Sequence, residues 1–389
     1  MKQFENIFRT ILVAFSIIWM GGISAKAEHA TPMDSIEIGL ITCSPHEEVY
    51  SLYGHTAIRC HDLSTGADSV YNYGVFNFKA PHFVARFIFG LTDYELQRTP
   101  FAPFCLYYHE WGSMVMEQVL NLTNDEKRHL LNALRKNCQP ENKTYRYNFF
   151  FDNCSTRPRN IIEDNIDGEI VYLPQEGYTP SFREMTRQCT AKHPWATFGN
   201  DILLGIKADR KATQREQQFI PDNLRQDFAS AMIERDGTRT PLVKEQRIII
   251  RPGVQMVEED FPLTPFQCAL LLLFAAIAVS VWEICMQRTA YLLDALLMLA
   301  TGLAGCVLFV MIFSQHPATS INLQILVLNP LALVFIPSVI RKRKTRWFTI
   351  SAVCTVLFFI GAIWQDYADG MEILALILLL RSLKHIYGK

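Results

Sequence analysis

Two residues far apart in the chain carry the most chemistry, His55 and Cys154. His55 lies in Ser51-Leu52-Tyr53-Gly54-His55-Thr56-Ala57-Ile58-Arg59, where a glycine precedes a histidine that opens a β-rich run. Glycine at that point lets another chain or a ligand approach the imidazole closely. Cys154 lies in Asn148-Phe149-Phe150-Phe151-Asp152-Asn153-Cys154-Ser155-Thr156-Arg157, an aromatic run followed by polar capping residues and a cysteine at a helix start. Unpaired N–H groups at a helix N-terminus favour a thiolate and can hold a tetrahedral oxyanion. Pro158 fits the first turn, where its missing N–H costs little. As a pair, the two residues suit acyl transfer: the imidazole takes the thiol proton and the sulfur attacks a carbonyl. Asn72 is the candidate for the third group, which orients the imidazole. Each motif alone also has a plainer reading. His55 then is a satisfied histidine at a strand start, and Cys154 a disulfide half or a buried structural thiol.

The elements that must position these groups are of both kinds. Ile36–Thr42 alternates like a strand. His55–Cys60 and Val70–Phe76, joined through Thr65-Gly66, form a β-hairpin. Met114–Leu122 reads as a further strand. Thr123–Asn137 reads as a helix, with Thr123 and Glu126 forming a capping box. Arg146–Phe151 reads as an aromatic strand or extended segment. A helix from Cys154 to about Asn165 follows, capped by Asp152 or Asn153. Phe76, Phe78, Phe149, Phe150 and Phe151 either shape an acyl pocket or fill the core.

The chain of 389 residues is 50% hydrophobic, and that content is concentrated after Pro265. Apolar runs at Phe266–Cys285, Tyr291–Phe313, Ile321–Ile340, Trp347–Trp364 and Met371–Leu380 predict about five transmembrane helices. The fifth reaches Tyr387 if Arg381 and Lys384 snorkel. The basic links, at Arg288 and at Arg341–Arg346, and the basic C-terminal tail all fall on one side, as the positive-inside rule requires. Four spans with an interfacial last helix is the alternative. Gln315, His316, Asn322, Gln324 and Gln365 lie at the opposite edge, either solvating loops or serving a function. Lys2 and Arg9, the apolar Ile11–Ile23 and Ala25-Lys26-Ala27 have the pattern of a cleaved export signal at 1–27; an uncleaved anchor is the alternative. Residues 28–262 then form the exported domain and 263–389 the membrane domain. Of ten cysteines six are exported, with no paired CxxC to suggest structural zinc. A net charge of -1 and the lack of a basic aromatic patch argue against a nucleic-acid partner.

His at a strand start followed much later by Asn-Cys at a helix start resembles the circularly permuted papain-like hydrolases, relatives of NlpC/P60 peptidases and of lecithin:retinol acyltransferase. More closely, Gly54-His55-Thr56-Ala57-Ile58-Arg59, Tyr71-Asn72-Tyr73-Gly74-Val75-Phe76 and Asp152-Asn153-Cys154-Ser155-Thr156, with the helical C-terminal part, resemble the Lnb (former DUF4105) family, which includes the Bacteroides lipoprotein N-acyltransferase. The resemblance implies an α+β permuted papain-like extracytoplasmic domain followed by an all-α bundle of about five transmembrane helices. It implies an acyl-enzyme on Cys154 with His55 as base, a membrane phospholipid as acyl donor and a diacylglyceryl lipoprotein as acceptor. No cofactor and no metal are expected, because a thioester is reactive enough to acylate an amine. The expected location is the cell inner membrane, with the catalytic domain in the periplasm. Two other readings stay open: a membrane-anchored NlpC/P60-type cell-wall amidase or peptidase, and a non-enzymatic envelope scaffold.

Overall fold

The apolar alternation of the first strands builds a sheet with two covered faces. The computed structural model describes residues 33–76, 81–175, 177–255 and 261–387. The export signal expected at 1–27 and Phe78 lie outside those residues. In chain order the strands are β1 (Ile36–Cys43), β2 (His55–Asp62), β3 (Asp68–Val75), β4 (Asp93–Pro100), β5 (Val115–Leu120), β6 (Thr144–Arg146), β7 (Glu169–Val171), β8 (Met232–Arg235), β9 (Thr238–Pro241) and β10 (Val243–Ile250). Seven of them form one antiparallel sheet in the order β10-β5-β1-β2-β3-β4-β6, and β7-β8-β9 form a small second sheet.

Register decides which side chains share a face. Leu40 pairs with Ile58 and Ile58 with Tyr71, so these three point the same way. That face is covered by α3 (Asn124–Asn137) through Leu130 and Leu134, and by α4 (Thr156–Glu163) through Ile161 and Ile162. Ile41, Cys43, Ala57 and Val70 point to the other face. There α2 (Phe101–Glu110) covers them with Phe101, Phe104 and Tyr108, while α1 (Phe83–Ile88) lies earlier in the chain. The capping box expected at Thr123 and Glu126 is formed in both directions. The hairpin and the strand at Ile36 also stand where the pattern puts them.

Arg146–Phe151 departs from expectation. Pairing ends at Arg146, and Asn148 and Asp152 bond each other across a tight turn. The cause is local: Asn148 Oδ1 accepts from the N–H groups of Phe150 and Phe151, a side-chain bond that replaces the ladder.

Beyond α4, the sheet-bearing part adds α5 (Phe182–Thr190), α6 (Pro194–Leu203), α7 (Gln214–Gln217) and α8 (Pro221–Ser230). The apolar C-terminal part holds α9 (Pro265–Met286), α10 (Tyr291–Ile312), α11 (Ala332–Ile340), α12 (Trp347–Gly361) and α13 (Met371–Tyr387). Among the described residues, α9 and α10 are long and apolar enough to cross a membrane. The run expected as a third span is not one continuous helix. A short 3-10 turn at Leu323–Leu326 precedes α11, and Pro330 stands in the break. Arg381 does not snorkel. It is buried, with Nη1 at 2.6 Å from Glu283 and Nε at 2.7 Å from Asp294, because two carboxylates inside the bundle satisfy its charge.

The polar residues flagged at the outer edge tie the two parts together. Gln324 and Gln365 are almost fully buried. Gln324 Nε2 donates to the carbonyl of Asp201 at 2.8 Å, Asn322 Nδ2 to that of Ile202 at 2.6 Å and Gln365 Nε2 to that of Leu204 at 3.2 Å. Arg187 pairs with Asp201 and donates to the carbonyl of Tyr367 at 2.9 Å. Gly205 sits so close to the carbonyl of Ile321 that a Cβ there would fall 2.1 Å from its oxygen. A second contact joins α1 to the same side: Gln315 N donates to the carbonyl of Phe89, and His316 Nε2 to that of Phe87 at 3.1 Å.

Candidate active site

The first residue of β2 and the last residues of β3 lie at one end of the sheet, and Cys154 meets them there. His55 opens β2. Its Nε2 lies 2.6 Å from Asn72 Oδ1 on β3. An amide oxygen only accepts, so Nε2 carries the proton and Nδ1 is left as the basic nitrogen. The Tyr108 ring of α2 lies nearly parallel to the imidazole, with centroids 6.3 Å apart.

Cys154 stands just before α4, not inside it. Asn153 supplies the cap: its Oδ1 accepts from the N–H groups of Ser155 and Thr156, each at 2.9 Å. Its Nδ2 is anchored to the carbonyls of Phe149 and Phe219. With the turn so fixed, the Cys154 sulfur faces the backbone N–H of Thr56, the neighbour of His55, and its own N–H. Gly74, near the end of β3, makes this approach possible. Its φ is +91°, and a Cβ there would lie 3.2 Å from Cys154 Cβ. Cys154 is a free thiol, and it, His55 and Asn72 are all partly exposed, so a substrate can reach them.

The protonation states differ from what a helix N-terminus alone would give. Burial pushes the Cys154 thiol up to about 11, and the two N–H groups offset only part of that. The helix contributes less than expected because Asn153 already occupies its first free N–H groups. Burial also lowers His55, against a smaller opposing effect of the bond to Asn72. At neutral pH both partners are uncharged at rest. A neutral thiol and a neutral imidazole with a free Nδ1 have the protonation states that general-base activation of a thiol requires.

Other residues at this site are not apparent from sequence spacing. His46 is buried, stacks on Trp111 at 4.6 Å, and is pushed down to about 4 by burial and by the nearby His55. Tyr145 on β6 comes near Gly74 only because β6 pairs with β4. Of the aromatic residues considered for a pocket, Phe150 is core, packed against Phe182 and Phe219, and Phe149 packs on Tyr53. Phe76 does line a cavity of about 490 Å³, with Val75, Phe83, Arg86 and Glu95 among its walls. From Phe76 the rings of Phe83, Phe87 and His316 follow one another at centroid spacings of 6.1, 6.3 and 5.9 Å, leading from the Gly74 end of β3 to the helical part. Among the described residues no group of His, Cys, Asp and Glu is placed to hold a metal ion.

No curated protein and no solved structure matches the chain. Family models do. Residues 24–188 match the Lnb N-terminal periplasmic domain, and residues 257–389 match the Lnb transmembrane domain. The first match spans His55, Asn72 and Cys154, and the second spans all five C-terminal helices. The chain belongs to the Lnb family and is a membrane protein with a periplasmic domain.

Proposed function

We propose that this protein is a cysteine-dependent lipoprotein N-acyltransferase of the inner membrane, with a permuted papain-like domain at 28–262 and a five-span bundle at 263–389. The observation that carries the proposal is the His55–Asn72 hydrogen bond beside a free, partly exposed Cys154, in a domain fastened to an apolar helical bundle. The cysteine-bearing turn leads into a helix packed on an antiparallel sheet, an arrangement that suits a permuted papain-like fold. The aromatic run from Phe76 through Phe83 and Phe87 to His316 offers an acyl chain apolar rings between the bundle and the Gly74 end of β3. The buried contacts of Gln324 and Gln365 with the sheet-bearing part hold it against the bundle, which favours a substrate taken from the bilayer over a soluble cell-wall peptide.

The reaction is ping-pong. Nδ1 of His55 takes the Cys154 proton as the sulfur attacks the ester carbonyl of a glycerophospholipid. The tetrahedral intermediate collapses, the glycerol oxygen leaves with the proton from His55, and a thioester remains with a lysophospholipid. The α-amino group of a diacylglyceryl-cysteine then attacks the thioester, gives a proton to His55, and leaves as the amide while Cys154 regains its hydrogen. Asn72 holds the imidazole in the tautomer that both halves need. Mass spectrometry of lipoprotein N-terminal peptides tests this in cells. Peptides should carry a third acyl chain with the wild-type protein and only two with Cys154→Ala. Equal acylation in both would reject the proposal.

A further inference from the structure

We infer that the Tyr145 hydroxyl is a catalytic hydrogen-bond donor to the oxyanion formed when Cys154 attacks its substrate. The inference rests on the acyl-transfer reading above. Tyr145 is 7% exposed, and its Oη has no hydrogen-bond partner. Buried polar groups are normally paired, so an orphan hydroxyl marks either a defect or a group awaiting a ligand. Its position favours the second. A Cβ built on Gly74 would stand 3.2 Å from Cys154 Cβ and 4.0 Å from Tyr145 Oη, so the cysteine and the phenol oxygen meet on the same side of Gly74, close enough for a Cys154 thiolate to act electrostatically on the phenol.

The ring is fixed by contacts that leave the hydroxyl free. The Arg157 guanidinium lies over its face at 3.6 Å, and Tyr73 meets it edge-on at 6.3 Å. Arg157 is itself held by Asp152 at 2.6 and 2.7 Å. Burial holds the phenol far above its usual titration range, so it remains a donor at any pH the enzyme meets. Two further donors are the N–H groups of Cys154 and Thr56, which face the sulfur. As the sulfur adds to the ester carbon, the carbonyl π pair moves to oxygen. The Tyr145 hydroxyl and the Cys154 N–H then bond that oxygen, and both bonds weaken when the carbonyl re-forms. Such donors act mainly in the transition state, where removing one costs roughly 100-fold in rate.

Tyr145→Phe separates this role from a structural one, because it keeps the ring, its stacking on Arg157 and its burial. The full-length protein in detergent micelles is mixed with labelled phosphatidylethanolamine without acceptor, and the rate of label transfer to Cys154 is measured. In parallel, Cys154 is alkylated with iodoacetamide, a displacement at saturated carbon that forms no oxyanion. The expected result is acylation slowed roughly 100-fold in Tyr145→Phe, with wild-type alkylation and a melting temperature unchanged or raised. Acylation at the wild-type rate, or acylation and alkylation slowed alike, overturns the inference and leaves the acyl-transfer reading standing. A wild-type protein that is alkylated but never acylated removes that reading and the inference with it.

Discussion

Gly74→Ala puts a methyl group where Cys154 now fits, and its cost has two separable parts. The first is conformational. Gly74 has φ +91°, and an L residue held in that region is destabilised by about 1–2 kcal/mol. For a domain of this size that lowers the melting temperature by roughly 2–8 °C. The second is contact: at 3.2 Å from Cys154 Cβ, the new methyl forces the cysteine turn to give by a few tenths of an ångström. Displacement of a reacting atom by about 1 Å costs on the order of 100-fold, so a smaller shift should cost roughly tenfold. Gly66→Ala is the control. Gly66 has φ +74° in the β2–β3 turn with nothing near its missing Cβ, so it carries the strain without the contact. Both variants are purified, melted by circular dichroism, and assayed for acylation of Cys154 from labelled phospholipid. Both should melt lower, and only Gly74→Ala should acylate slowly. Wild-type acylation in Gly74→Ala would refute the packing of Cys154 against β3 as the reason for its position.

Asn72→Ala removes the acceptor of His55 Nε2–H and should lower acylation roughly 10- to 100-fold with little change in melting temperature, measured by single turnover. The acylation rate should fall as pH drops through a value below the usual histidine pKa of about 6.5, since protonated His55 cannot take the thiol proton and its pKa is lowered by burial. Asn72→Asp should move that limb to higher pH, because a carboxylate stabilises the imidazolium. Transfer to the amine should instead keep rising toward about pH 8, where a free α-amino group loses its proton. Gln324→Leu removes one of two donors from the carbonyls of Asp201 and of Ile202, which keep Arg183 and Asn322, and leaves the N–H of Ala368 inside the bundle unpaired. About 1–3 kcal/mol should be lost, part of it from the contact between the two parts. Limited proteolysis in detergent should show faster cleavage between them.

What the sequence makes legible here is what is local. The β2–β3 hairpin follows from alternation around Thr65-Gly66, and the start of α3 from the Thr123–Glu126 reciprocity. His55 and Cys154 stand out because each has an unusual neighbour, Gly54 and Asn153, while Asn72 is marked only as a polar residue on the second strand of the hairpin. The run from Asn148 to Phe151 misleads because β-formers at 149–151 conceal a turn set by one side chain. Ile321–Ile340 misleads similarly, since hydropathy counts apolar residues and does not register the break at Pro330. Arg381 has its partners on α9 and α10, which no spacing within α13 reveals. His46 and Tyr145 are long-range facts as well. His46 matters once it stacks on Trp111, and Tyr145 once β6 pairs beside β4. The outer polar residues were visible, yet their role appears only when Asp201, Ile202 and Leu204 are seen to supply the carbonyls. The thiol shows a further limit: a helix start indicates a lowered pKa, while burial decides the sign.

The central claim is that Cys154 carries the acyl group. The most direct test is intact-protein mass spectrometry after incubation with phospholipid and no acceptor. The wild-type protein should gain the mass of one acyl chain, mapped to Cys154 and released by neutral hydroxylamine, as a thioester requires. Cys154→Ala should gain nothing. An acyl mass that appears in Cys154→Ala, or one on the wild type that resists hydroxylamine, would contradict the account.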